Sequence, residues 1–134
     1  MSDRIRISVA DDEPDMLRYY QRMLTHLGHH VVSCSANGRE LVSACLEQHP
    51  DLIITDLKMP EMDGLTAVER IEQEYPVPVI LISAYHTLEL VERANAAHVQ
   101  AFLVKPINLS ILIPAIDRAR RQFNSLRNAR AIVL

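Results

Sequence analysis

Pro50-Asp51-Leu52-Ile53-Ile54-Thr55-Asp56-Leu57-Lys58-Met59-Pro60-Glu61-Met62-Asp63-Gly64 is the stretch that decides the fold. Its centre, Leu52-Ile53-Ile54-Thr55, is almost wholly apolar and ends on a carboxylate at Asp56. A strand with one wet face would alternate polar and apolar residues. A continuous apolar run suits a strand buried on both faces, as in a parallel sheet.

Four more strand-like runs lie along the chain, of which those at 77–82 and 101–104 share this almost wholly apolar character. Short β-branched runs lie at Ile5-Arg6-Ile7-Ser8-Val9, Val31-Val32-Ser33-Cys34, Val77-Pro78-Val79-Ile80-Leu81-Ile82 and Ala101-Phe102-Leu103-Val104. Amphipathic stretches separate them, at Pro14 to Leu27 and at about 38–48, 64–74, 87–97 and 109–128. In the first, Met16, Leu17, Tyr20, Met23, Leu24 and Leu27 fall at helical spacing. Pro14 suits the first helical position and Gly28 the residue just past the end. Five strands alternating with five helices predict an α/β fold, a doubly wound five-stranded parallel sheet with right-handed crossovers. Its site should lie outside the carboxyl ends of the strands.

Composition narrows the class further. The chain has 134 residues, 49% hydrophobic and 23% charged, which fits one domain with a core of its own. No apolar run is long enough to span a bilayer, and the polar start has no hydrophobic signal region. Cys34 and Cys45 stand apart from each other and from any His at metal spacing, so reduced thiols are expected. The net charge of -3 divides unevenly. Residues 1–114 carry 9 Lys/Arg against 16 Asp/Glu, whereas residues 115–134 carry five Arg against Asp117. An acidic body therefore ends in a basic tail.

The chemistry sits just after the strands. Asp11, Asp12 and Glu13 follow the first, Asp56 ends the third, Ser83 follows the fourth, and Lys105-Pro106 follow the fifth. The topology brings these to one edge. Clustered carboxylates repel unless a cation neutralises them. A few hard oxygen ligands with open positions suit Mg²⁺, which also binds phosphate oxygens. A carboxylate there can act as a nucleophile on phosphorus. A Lys and a hydroxyl would then hold the remaining phosphoryl oxygens. Any one of these residues alone would read as a cap or a turn; their conjunction at four strand ends is the signal.

On these residues the chain resembles the receiver domains of bacterial two-component response regulators, over residues 4 to about 122. Asp11-Asp12-Glu13-Pro14 resembles the family's acidic loop, and Pro50 to Gly64 its phosphoacceptor strand and loop. Ile80-Leu81-Ile82-Ser83-Ala84 and Ala101-Phe102-Leu103-Val104-Lys105-Pro106 resemble its fourth- and fifth-strand motifs. The resemblance implies a flavodoxin-like (βα)5 receiver fold over residues 1–125, with 126–134 as a helical extension or the start of a linker. It implies that Asp56 accepts a phosphoryl group, that Asp11, Asp12, Asp56 and the backbone carbonyl of Lys58 hold Mg²⁺, and that Ser83 and Lys105 bind the phosphoryl group. Phe102 would turn inward as Ser83 moves. The implied protein is a cytoplasmic signalling switch that turns over no external metabolite. Its implied partner is a sensor histidine kinase or phosphotransfer protein, and it could form a homodimer through its fourth helix, fifth strand and fifth helix.

Two departures from the family stand out. His98 replaces a usual Gly in the turn before the fifth strand, where positive φ and local strain are expected. Pro114 falls within the last helix and should delay or bend its first turn. In that helix Leu112, Ile116, Ala119, Phe123 and Leu126, with Val133 beyond, form a heptad-like seam that could dimerise. The segment is similar to the last receiver helix of antitermination regulators, where an RNA-binding module follows; nucleic acid would be a partner only through such a module. An Asp-nucleophile phosphatase is disfavoured because Asp56-Leu57-Lys58 lacks that class's second Asp. A nucleotide- or flavin-binding module is disfavoured because Asp11-Asp12-Glu13 would repel a phosphate. The scattered histidines form no metal motif.

Overall fold

The computed structural model describes residues 4–133, with side chains described for residues 4–126. The elements run β1 (Arg6–Ala10), α1 (Pro14–His26), β2 (His30–Ser35), α2 (Gly38–Gln48), β3 (Leu52–Asp56), α3 (Gly64–Glu74), β4 (Val79–Ser83), α4 (Leu88–Ala96), β5 (Ala101–Val104) and α5 (Leu109–Val133). All five strands are parallel, in the order β2-β1-β3-β4-β5. The alternation expected from the apolar runs is therefore present. The runs of β3 and β4 pack as expected for burial on both faces, whereas β5, at the edge of the sheet, is only partly buried, with Val104 exposed. Leu52, Ile54, Ile80 and Ile82 join a core with Tyr20, Leu24, Leu112 and Ile116 of α1 and α5. Ile53 and Val79 point into the opposite core, against Leu41, Val68 and Ile71 of α2 and α3. Leu81 faces Ala94 of α4 beside the half-buried Phe102. Cys34 is exposed, Cys45 is buried, and both are free.

Helix ends follow local chemistry. Gly28, at φ 90°, ends α1: its N–H and that of His29 bond back to Thr25 and Leu24 at 2.9 and 3.0 Å. This paired geometry satisfies carbonyls the helix leaves open. α4 ends in the same way, but with His98 at φ 60° in the position Gly28 occupies in α1. The expected strain is thus present, and His98 Nδ1 contacts Glu72 Oε1 at 3.0 Å. Asn37, Asp63 and Thr87 cap α2, α3 and α4 through their side chains.

Two expectations for the last helix need correction. Pro114 does not delay it: α5 begins at Leu109, before the proline. Asn108 Oδ1 accepts from the Ile111 N–H at 3.1 Å and holds the first turn. Pro114 and Ser110 both lie on the exposed side of the helix, where water can meet a carbonyl that Pro114 leaves unpaired. The seam also faces inward over its first half. Leu112, Ile116 and Ala119 are buried against the molecule's own sheet. Each buried Leu or Ile there contributes about 1.5–3 kcal/mol, which a dimer using this stripe would forfeit. Val133 lies outside the residues with described side chains.

Candidate functional site

β1 has β2 on one side and β3 on the other. The loops after β1 and β3 therefore diverge to opposite faces of the sheet and leave a crevice at their carboxyl ends. Asp11, fully buried, and Asp12, exposed, enter it from β1. Asp56, 7% exposed, enters from the end of β3, and Ser83, 2% exposed, from the end of β4. Lys105 reaches in from beyond β5. These residues, read from the sequence as one site, line a cavity of about 240 Å³ together with Glu13, Lys58, Ala84 and Tyr85; Asp11 lies beneath it.

One ammonium serves two buried carboxylates. Lys105 Nζ lies 3.3 Å from Asp11 Oδ2 and 3.4 Å from Asp56 Oδ2. The second oxygen of each carboxylate accepts a backbone N–H, from Glu13 for Asp11 and from Leu57 for Asp56, both at 2.9 Å. Two negative charges and one positive charge leave a surplus. Burial, and then the Asp11 charge, push Asp56 up to about 6, despite the opposing pull of Lys105 and the Leu57 N–H. Burial works against the Lys105 charge, but Asp56 and Asp11 outweigh it and raise its pKa.

The surplus charge matches a divalent cation. Oxygens of Asp11, Asp12 and Asp56 lie within 4.8 Å of one another. They are hard ligands, too few to close a cage, which is the donor set Mg²⁺ prefers. Lys58 belongs to the loop after Asp56; its exposed side chain lies over the Tyr85 ring, 4.9 Å from the centroid. Its ammonium is therefore on the rim, and only its carbonyl remains as a candidate ligand.

Close backbone packing fixes the β3–α3 loop. A methyl group at Gly64 would fall 2.2 Å from the Asp56 carbonyl oxygen, and one at Gly38 would fall 2.4 Å from that of Met62. The Gly64 N–H bonds to Leu57 at 2.8 Å and the Gly38 N–H to Met62 at 2.9 Å. Asn37 Nδ2 also donates to Glu61 Oε2, and Arg93 pairs with Asp63. The spacing of chemical groups in the sequence did not reveal Tyr85, Glu61 or Arg93. A rim contact at Tyr85, the positive φ of Glu61 at 68° and the surface ion pair of Arg93 leave no pattern to read. Ser83 Oγ accepts the Tyr85 N–H at 3.1 Å, and the Phe102 ring meets His86 edge-on at 5.7 Å.

A parallel α/β sheet with this acid–lysine site at its carboxyl edge is the receiver class, and the response regulator receiver domain model matches residues 7–117. The chain belongs to that family. It is 36% identical over 121 residues to the transcriptional regulatory protein PdtaR of Mycobacterium tuberculosis, an alignment covering 90% of this chain and 59% of PdtaR. Thus it spans about three-fifths of that relative's length. It is 34% identical over 114 residues to the chemotaxis protein CheY of Bacillus subtilis, covering 84% of this chain and 95% of CheY. Among solved structures, a receiver domain from Clostridium thermocellum superposes with a TM-score of 0.81 at 27% identity, covering 90% of this chain and 98% of that one. A CheY-like receiver from Methanospirillum hungatei superposes at 0.84 with 23% identity, covering 92% and 98%, a likeness of fold. Receiver domains are phosphorylation-dependent switches served by histidine kinases or phosphotransfer proteins, and they bind Mg²⁺ at an acidic pocket. Among the described residues no helix is long and apolar enough to cross a membrane.

Proposed function

We propose that Asp56 is the phosphoryl acceptor of a Mg²⁺-dependent switch. The observation that carries this reading is one buried carboxylate at the cavity floor, held by its neighbours in a state of unmet charge. In the transfer, an Asp56 oxygen forms a bond to phosphorus as the donor's P–O or P–N bond breaks, and the donor retains the electron pair. Asp11, Asp12, Asp56 and the Lys58 carbonyl would hold the cation. When bound, Mg²⁺ would supply neutralising charge to the phosphoryl oxygens. Lys105 would follow the new charge, and the Ser83 hydroxyl would turn from the Tyr85 N–H to donate to a phosphoryl oxygen.

The displaced Ser83 would let Phe102 move inward and alter the surface of α4, β5 and α5. Leu88 and Val104 are already exposed on α4 and β5, at 74% and 40%. Dimerisation through this surface would not need the buried stripe of α5. The phosphoryl source would be a cytoplasmic sensor histidine kinase or phosphotransfer protein, and the chain itself would turn over no other substrate. PdtaR extends beyond the aligned region, which supports a second reading: residues 1–125 as the receiver part of a longer transcriptional regulator, with 126–134 leading toward an output module. A small-molecule phosphodonor with Mg²⁺ should add one phosphoryl group by intact mass, and Asp56→Asn should abolish it. Undiminished labelling of that variant would refute the assignment.

A further inference from the structure

Glu61, in the loop between β3 and α3, has φ 68°. Across it the Met62 N–H reaches back to the Pro60 carbonyl at 2.7 Å. That is the rare, strained hand of the γ-turn, which glycine adopts without steric cost and glutamate does not. Glu61 is exposed, so its side chain has water within reach and burial does not account for it. Strain of this kind persists where the surroundings over-determine the backbone, and it clusters at functional sites.

The start of α2 supplies the constraint. Asn37 is only 8% exposed. Its Oδ1 accepts the Glu40 N–H at 2.9 Å and caps the helix, while its Nδ2 donates to Glu40 Oε2 at 3.3 Å and to Glu61 Oε2 at 3.2 Å. Next to it, the Gly38 N–H holds the Met62 carbonyl. The tip of the loop is thus tied to α2 twice, by side chains and by backbone. Its base is closed by the Gly64 N–H on the Leu57 carbonyl. Lys58 lies between the closed base and the tied tip, and its carbonyl is the candidate ligand this loop offers. Mg²⁺ demands near-ideal octahedral geometry, so a carbonyl that drifts from its place is lost to the ion.

We propose that Asn37 and Glu61 are positioning residues for the metal centre: the bond between their side chains holds the β3–α3 loop in the shape that presents the Lys58 carbonyl to Mg²⁺. This assignment rests on the proposed cation site of Asp11, Asp12, Asp56 and that carbonyl. The strained turn at Glu61 then belongs to a loop set in advance, which the ion does not have to order as it binds.

The test is Mg²⁺ affinity by calorimetry, without a phosphodonor, on the full chain and four variants, with a thermal melt of each. Asn37→Ser keeps a side-chain cap for α2 and removes the donor to Glu61 without changing the charge. Glu61→Gly removes the acceptor and relieves the turn. Each should weaken Mg²⁺ binding about fivefold, the size expected of one hydrogen bond. The two together should weaken it no further, because both remove the same bond. Glu61→Gln, which loses the charge but keeps an acceptor oxygen, should bind within about twofold of the parent. Glu61→Gly should melt no lower than the parent, since relief at φ 68° offsets the lost bond. Unchanged affinity in either single variant, additive losses in the double variant, Glu61→Gln as weak as Glu61→Gly, or affinities that fall in step with the melting temperature would each overturn the role of this pair. A parent whose Mg²⁺ affinity is absent, or is untouched by Asp12→Ala, would instead overturn the cation site, and this inference with it.

Discussion

Replacing Asp56 with Asn should make the metal-free protein more stable at neutral pH. Asn keeps the volume and the acceptor for the Leu57 N–H, and it removes the charge. Asp56 ionises at an ordinary 3.8 when unfolded but near 6 when folded, so the folded state holds its proton to higher pH. Its contribution to stability is complete below about 4, is lost as pH rises from about 4 to about 6, and stays lost above. A gap of about two pKa units at 1.36 kcal/mol each gives roughly 3 kcal/mol. The side chain is only 10% exposed, so solvent screening removes little of this. We expect Asp56→Asn to gain about 2–3 kcal/mol over the parent at pH 7.5 in chelator, and near zero at pH 4. Urea titrations followed by circular dichroism at a series of pH values would measure the difference. Titrating groups away from the site are common to both proteins and cancel, and Lys105, its pKa raised, stays charged across this range. The reasoning fails if the variant is no more stable at pH 7.5, or if its advantage does not grow with pH.

Three shorter predictions concern the same site and a fourth the end of α1. Asp12→Ala should weaken Mg²⁺ binding about tenfold or more by calorimetry while leaving the fold unchanged, because Asp12 is exposed and adds one oxygen to the cluster. Lys105→Met should cost about 2–3 kcal/mol at pH 7 in chelator, since Asp11 and Asp56 would face each other without their shared counter-charge; denaturant midpoints would report it. Gly64→Ala should destabilise by about 3 kcal/mol and slow phosphoryl uptake, because its methyl group would meet Asp56 backbone. Gly28→Ala, with open space but φ 90°, should cost only about 1 kcal/mol in a thermal melt.

The sequence made the layers legible because strands buried on both faces leave continuous apolar runs. Ile53 and Ile54 could serve opposite cores only in such a strand. The gathering of Asp11, Asp56, Ser83 and Lys105 followed from their common place at strand ends. Helical spacing could not say whether the stripe of Leu112, Ile116 and Ala119 faces the chain's own sheet or another copy, since both bury the same residues. Pro114 was read without the competing Asn108 cap. Tyr20 falls in the sequence among the apolar positions of α1; that its buried hydroxyl has no hydrogen-bond partner among the described residues is a three-dimensional fact.

The strand order also has a consequence for synthesis on the ribosome. β1 emerges first and occupies the middle of the finished sheet. Its second edge waits for β3, a lag of roughly 2–8 s at usual elongation rates. α5 emerges last, yet it covers the face formed by Ile54, Ile80 and Ile82. α1 packs on the same side, but the share of that face that α5 covers stays open until α5 arrives, so the growing chain should present a late apolar surface, and a target for a holding chaperone, on the side that α5 finally closes.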